Sequence, residues 1–194
     1  MSTPLDQLKS VDLSHLSKEE AKEFTILLEE LEKREKRESS MASFYDFVKA
    51  IWPEFIAGAH HKKMAEAFDK IASGESKRLI INMPPRHTKS EFASYLFPAY
   101  LLGKRPKLKI IEATHTADLA INFGRRVRDL LESEEYAEIF PATELKADSR
   151  SAGKWNTSQG GQYYAAGIGG ALAGRGADLF IIDDPHLSLI HISE

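Results

Sequence analysis

LIINMPPRHTKSEFAS, residues 79–94, decides how the rest of the chain is read. Leu79-Ile80-Ile81 is a short, branched apolar run suited to a buried strand. Asn82 to Ser90 has the prolines and polar residues of a loop, and Glu91 to Leu102 has the pattern of a helix stopping near Gly103. A strand that opens through a loop into a helix is the setting a phosphate-binding loop requires. Helix N-terminal N–H groups and a lysine offer positive charge to phosphate oxygens, and a hydroxyl beside the lysine reaches magnesium. Lys89 and Ser90 stand at those places, but Met83 and Thr88 stand where G-x-x-x-x-G-K-[ST] has its glycines. The match is therefore one of context, not of the full pattern.

Farther along, Leu179-Phe180-Ile181-Ile182 is a second apolar run, and it ends in Asp183 and Asp184. Adjacent carboxylates at a strand end divide two tasks in nucleotide hydrolysis: the first, Asp183, holds magnesium and the second, Asp184, orients the attacking water. An ordinary Asp-Asp-Pro turn is the other reading of the same residues. Between Lys89 and Asp183, Leu108 to Ala113 predicts a further strand and Ala117 to Leu131 a helix. Strands separated by helices imply an α/β fold with a mainly parallel sheet flanked by helices. Seven of the twelve glycines fall between Gly160 and Gly176, which reads as a tightly turned or flexible connection before the last strand.

Upstream, Ser17 and Glu20 have capping-box spacing, and Phe24, Leu27, Leu28 and Leu31 recur at helical intervals from Lys18 to Glu38. This predicts a charged helical arm over residues 1–40. A second helix with Phe44, Phe47, Val48 and Ile51 stops at Trp52-Pro53, and a third runs from His60 to Ala72 with Gly74 as its stop. The nucleotide-binding domain is expected over 41–186.

The 194 residues, 42% hydrophobic and 28% charged with net charge -3, are those of one globular domain. No apolar run reaches the roughly 18 to 20 residues of a membrane span, and MSTPLDQLKS lacks the layout of a secretory signal, so the expectation is a soluble intracellular protein without membrane partners. The absence of cysteine excludes disulfide frameworks, thiolate metal sites and cysteine nucleophiles. Charge is uneven: residues 1–40 carry 7 basic and 10 acidic side chains, residues 77–128 carry 11 and 3. The basic middle suits either phosphate and nucleic acid or plain solvated helix faces. The same two readings apply to Arg125, Arg126 and Arg128, which could also form a subunit-crossing arginine finger. Tyr163 and Tyr164 suit base stacking or packing, and His60 and His61 an adenine contact or a helix cap.

Three blocks, MPPRHTKSEFASYLFPAYLLGKRP, KIIEATHTADLAINFGRRVRDLL and GGQYYAAGIGGALAGRGADLFIIDDP, resemble in order segments of the tailed-phage terminase large subunit, the ATP-driven motor that packages DNA into capsids. The resemblance spans roughly residues 55–186 and implies a P-loop NTPase fold with ATP and Mg2+ as ligands. By position it makes Lys89 and Ser90 the phosphate and magnesium residues, Arg86, His87 and Thr88 loop residues over the phosphates, Asp183 the magnesium-associated carboxylate and Asp184 the catalytic one. Arg86 stands where some terminases place an arginine that stabilises the transferring phosphoryl group, and His60 where related ATPases contact adenine.

The family loop reads P-P-R-H-G-K-S, so Thr88 departs from it. A β-branched residue at positive φ costs on the order of 1 to 3 kcal/mol, and Thr88→Gly is expected to tighten nucleotide binding. The implied partners are double-stranded phage DNA, a small terminase subunit, a portal ring and further copies in a homo-oligomeric ring, in the host cytoplasm. On this resemblance a coupling motif and a nuclease domain are expected in the parent protein, beyond these 194 residues. LSLIHISE, residues 187–194, is expected to be a non-native tail on a truncated, incomplete sheet. Two alternatives stay open: another P-loop DNA-translocating ATPase of helicase-like kind, or a nucleotide-binding fragment without turnover.

Overall fold

The computed structural model describes residues 4–11, 15–170, 172 and 174–185; the expected tail at 187–194 lies outside them. Helix α1 (Pro4–Lys9) lies on α2 (Lys18–Ala42), with Lys9 paired to Glu32 at 2.8 Å. The capping box forms as the spacing predicts: Ser17 Oγ accepts from Glu20 N–H and Glu20 accepts from Ser17 N–H. Ser43 then serves two helices. Its N–H closes α2 on Ser39 O at 3.0 Å, and its hydroxyl caps α3 (Phe44–Ile51) by accepting from Asp46 N–H. Helix α4 (Ala59–Ser73) ends at Gly74, whose φ of 82° only glycine adopts without strain.

After the loop, a π-helical segment (Glu91–Leu96) runs straight into α5 (Phe97–Lys104). Strand β1 (Lys109–Thr114) follows, then α6 (Ala117–Leu131), α7 (Glu134–Ile139), β2 (Leu145–Ser151), β3 (Lys154–Thr157), β4 (Gln162–Gly167) and β5 (Leu179–Asp183). The sheet order is β2-β3-β4-β1-β5. Phe44 sits at the centre of the helical core, its ring within 5.2 to 5.6 Å of Phe68, Phe92, Phe97 and Tyr100. These contacts tie α3 and α4 to the helix that leaves the loop. Among the described residues no helix is long and apolar enough to cross a membrane.

The α/β architecture is as predicted, but the sheet is mixed, not mainly parallel: β1 pairs parallel with β4 and β5, whereas β2–β3 and β3–β4 are antiparallel. The reason lies in the glycine-rich region, which begins with a central strand. Ala152-Gly153 and Ser158 to Gly161 supply two tight turns, so β2, β3 and β4 form a meander that needs no crossover helix. Trp155 and Tyr163 stack across that pair at 4.9 Å, both buried, and Trp155 Nε1–H donates to Gly124 O at 2.9 Å. A Cβ on Gly124 would lie 2.6 Å from Ala152 O, so glycine lets α6 approach the meander. This packing removes Tyr163 from any base-stacking role.

A second correction concerns Leu79-Ile80-Ile81, which forms no strand. Ile80 is 93% exposed, and the segment borders a cleft of about 470 Å³ whose other wall is β5. A branched apolar run reports affinity for burial, not for a ladder partner. Beyond β5 no described layer covers that face, where Phe180 and Ile182 are 52% and 55% exposed.

Candidate functional site

The loop and the end of β5 meet at Lys89. Its ammonium lies 3.4 Å from Asp183 Oδ1 and donates a short hydrogen bond to Asp184 Oδ1, so residues 94 and 95 positions apart converge on one cation. Burial opposes the charge on Lys89, but the Asp184 hydrogen bond and the two carboxylate charges outweigh it and hold the ammonium above its ordinary value. Asp183 is only 5% exposed; Ser94 of the π-helical segment donates to its Oδ2 at 3.2 Å, which leaves Oδ1 turned toward Lys89. Asp184 is exposed and bends away at φ 43°. Parallel pairing with β1 sets this end of the strand, with Thr114 opposite Asp183.

The loop itself is strained. Arg86 and Thr88 hold φ of 62° and 60°, so the left-handed conformation that favours glycine is present here with threonine in place. Phe92 N–H donates to Thr88 O at 3.0 Å, and His87 Nδ1–H donates to Pro85 O at 2.8 Å. Arg86 and His87 are exposed, and Ser90 immediately precedes the π-helical segment with no side-chain capping bond. His60 lies on the same side, its ring 3.8 Å from His61 and 5.9 Å from His87.

Of the three arginines on α6, Arg126 is tied down: it forms a bidentate pair with Glu91 at 2.9 and 2.5 Å and lies 4.1 Å over the Tyr95 ring. Glu91 is the first residue of the π-helical segment, so this pair braces the helix that carries Lys89. Arg128 pairs with Asp129, and Arg125 is exposed. Tyr164 is half-buried beneath the Arg175 guanidinium at 3.8 Å.

Glu112 escaped the sequence reading. It is fully buried in β1, and because the single Ser94 proton is directed to Asp183, both its carboxylate oxygens lack a hydrogen-bond partner. Burial pushes its carboxyl well above the ordinary value; the neighbouring Ser94 hydroxyl works against this and the Asp183 charge adds to it. Burial behind Asp183 thus favours the neutral form of the Glu112 carboxyl. The signal was a lone acid inside the apolar run KIIEAT.

Asp183 and Ser90 present hard oxygen donors of the kind magnesium takes. In this structure the Asp183–Asp184 pair already holds one cation, the Lys89 ammonium, which offsets only one of its two charges, and that observation fits a site built for positive charge. Among the described residues no group of three or more His, Asp or Glu is arranged to hold a metal. A magnesium ion held by one or two carboxylates and phosphate oxygens needs no such cage. Comparison with family models, curated proteins and solved structures finds no match for this chain.

Proposed function

We propose that the chain binds ATP at residues 83–90 and hydrolyses it with Mg2+, as the P-loop ATPase part of a terminase-like DNA-packaging motor. One observation carries the nucleotide reading: Lys89, at the end of the loop, is held between Asp183 and Asp184 at the end of β5. Phosphoryl transfer uses a lysine, a hydroxyl and a strand-end carboxylate; here the lysine and the carboxylates meet from distant sequence, and Ser90 adjoins the lysine in the chain. Bound magnesium would supply charge neutralisation to the phosphates. Lys89 would exchange its carboxylate partners for phosphate oxygens, Ser90 and Asp183 would hold the ion, Asp184 would orient the attacking water, and Arg86 and His87 would face the phosphates. His60 is assigned to the adenine side.

The packaging role, with duplex DNA, a small subunit, a portal ring, further copies of the chain and the host cytoplasm as its setting, rests on the three sequence blocks alone. A second reading, nucleotide binding without turnover, is favoured by the unpaired approach to the loop, where Ile80 is almost fully exposed. A loop not anchored by a paired strand positions phosphate less firmly. Phosphate release from ATP separates the two. Magnesium-dependent release that Lys89→Ala abolishes supports the motor reading; binding with no release supports the second, and no binding refutes both.

A further inference from the structure

Three hydrogen bonds run in one direction from α4 into the loop. Gly58 N–H donates to His61 Nδ1 at 2.8 Å, so that nitrogen carries the lone pair. The one ring proton of a neutral His61 is then on Nε2, which lies 2.7 Å from Thr88 Oγ1. The Thr88 hydroxyl in turn donates to His87 O at 2.6 Å. Each group uses its donor or acceptor once, and no other tautomer of His61 satisfies the chain.

The ring that delivers this bond is fixed. His61 is buried, with Phe55 at 4.7 Å edge-on and Phe92 at 5.4 Å, and Phe92 is itself bonded to Thr88 O. Burial opposes a second proton on the ring, and the two titratable groups that face it, His60 from its own helix and His87 from the loop, oppose it as well. A second proton on Nδ1 would also meet the Gly58 N–H head-on. Thr88 meanwhile holds a φ that a β-branched residue does not keep by itself.

We infer that His61 is a positioning residue: its neutral imidazole latches the Thr88 hydroxyl and so keeps the loop in the left-handed turn that glycine would adopt unaided. The inference rests on the loop being the nucleotide site only for its functional consequence; the latch itself is tested on the chain alone. Nitrogen-15 and carbon-13 NMR of the full chain at neutral pH reads both parts. The expected result is a His61 ring protonated on Nε2 and bare on Nδ1, with Thr88 Cα and Cβ shifts of a left-handed residue. Those Thr88 shifts revert to ordinary values in His61→Ala and are retained in His61→Gln, whose amide reaches Thr88 from the Nε2 position.

A purely structural role would lower the unfolding midpoint without moving Thr88. The functional arm measures dissociation of the magnesium complex of a non-hydrolysable ATP analogue. His61→Ala weakens it about tenfold in the native background and less than about twofold in the Thr88→Gly background, since glycine holds the turn without the latch. The inference is overturned by a His61 ring protonated on Nδ1, by unchanged Thr88 shifts in His61→Ala, or by equal losses in the two backgrounds. Failure of the analogue to bind any form would sink the nucleotide reading while the NMR result still decides the latch.

Discussion

The two sides of β1 are built to different standards. Toward β4, the stacked Trp155 and Tyr163, the bond from Trp155 to Gly124 and the close approach of α6 make a closed core. Toward β5, Phe180 and Ile182 face outward, residues 79–81 line a cleft instead of pairing, and the charges of Lys89, Asp183 and Asp184 are concentrated. Stability and chemistry are thus divided across a single strand. Strained backbone follows the same division, since Arg86, Thr88 and Asp184 all lie on the open side.

The largest expected effect belongs to the closed side. Trp155→Ala should cost about 3 to 5 kcal/mol in denaturant unfolding, through the lost stack and the cavity it leaves. Next comes the strand between the two. Glu112 has a folded-state pKa raised above the ordinary 4.5, so the folded chain keeps a proton that the unfolded chain releases. Stability from that neutral form is fully present below about 4.5 and is lost as pH rises toward the folded-state value. Glu112→Gln should therefore unfold at a higher temperature than the native chain at pH 8, with the difference shrinking as pH falls toward 5; a gain independent of pH would refute the buried neutral acid. On the open side, Phe180→Ala should cost no more than about 1 kcal/mol, because about half of the residue is already exposed. A loss approaching that of Trp155→Ala would mean the face is covered in solution and would break the comparison.

Sequence periodicity served best where local signals act alone. Ser17 and Glu20, the Trp52-Pro53 stop, Gly74 and the span of α6 are all set by capping or backbone sterics within a few residues, and they appear where the pattern puts them. Strands were harder, because pairing is decided by partners far along the chain. Leu79-Ile80-Ile81 has the composition of a strand and no ladder, whereas Gln162 to Gly167, hidden among glycines, is a central one. Lys89, Asp183 and Asp184 were legible as separate motifs, and the structure brings them together. His61 was only half legible: the helix-cap reading agrees with its bond from Gly58 N–H, but its bond to Thr88 spans 27 residues and has no periodic signature.

The central claim is that Lys89, Asp183 and Asp184 form a magnesium-nucleotide site. Calorimetric titration of the full chain with a non-hydrolysable ATP analogue, with and without magnesium, tests it most directly, with unfolding midpoints to establish that each variant is folded. The account predicts saturable one-site binding that requires magnesium and weakens by about 10- to 100-fold in Lys89→Ala, the loss of one charge-assisted contact to phosphate. A folded native chain that binds no nucleotide, or a Lys89→Ala variant that binds it equally well, would contradict the account.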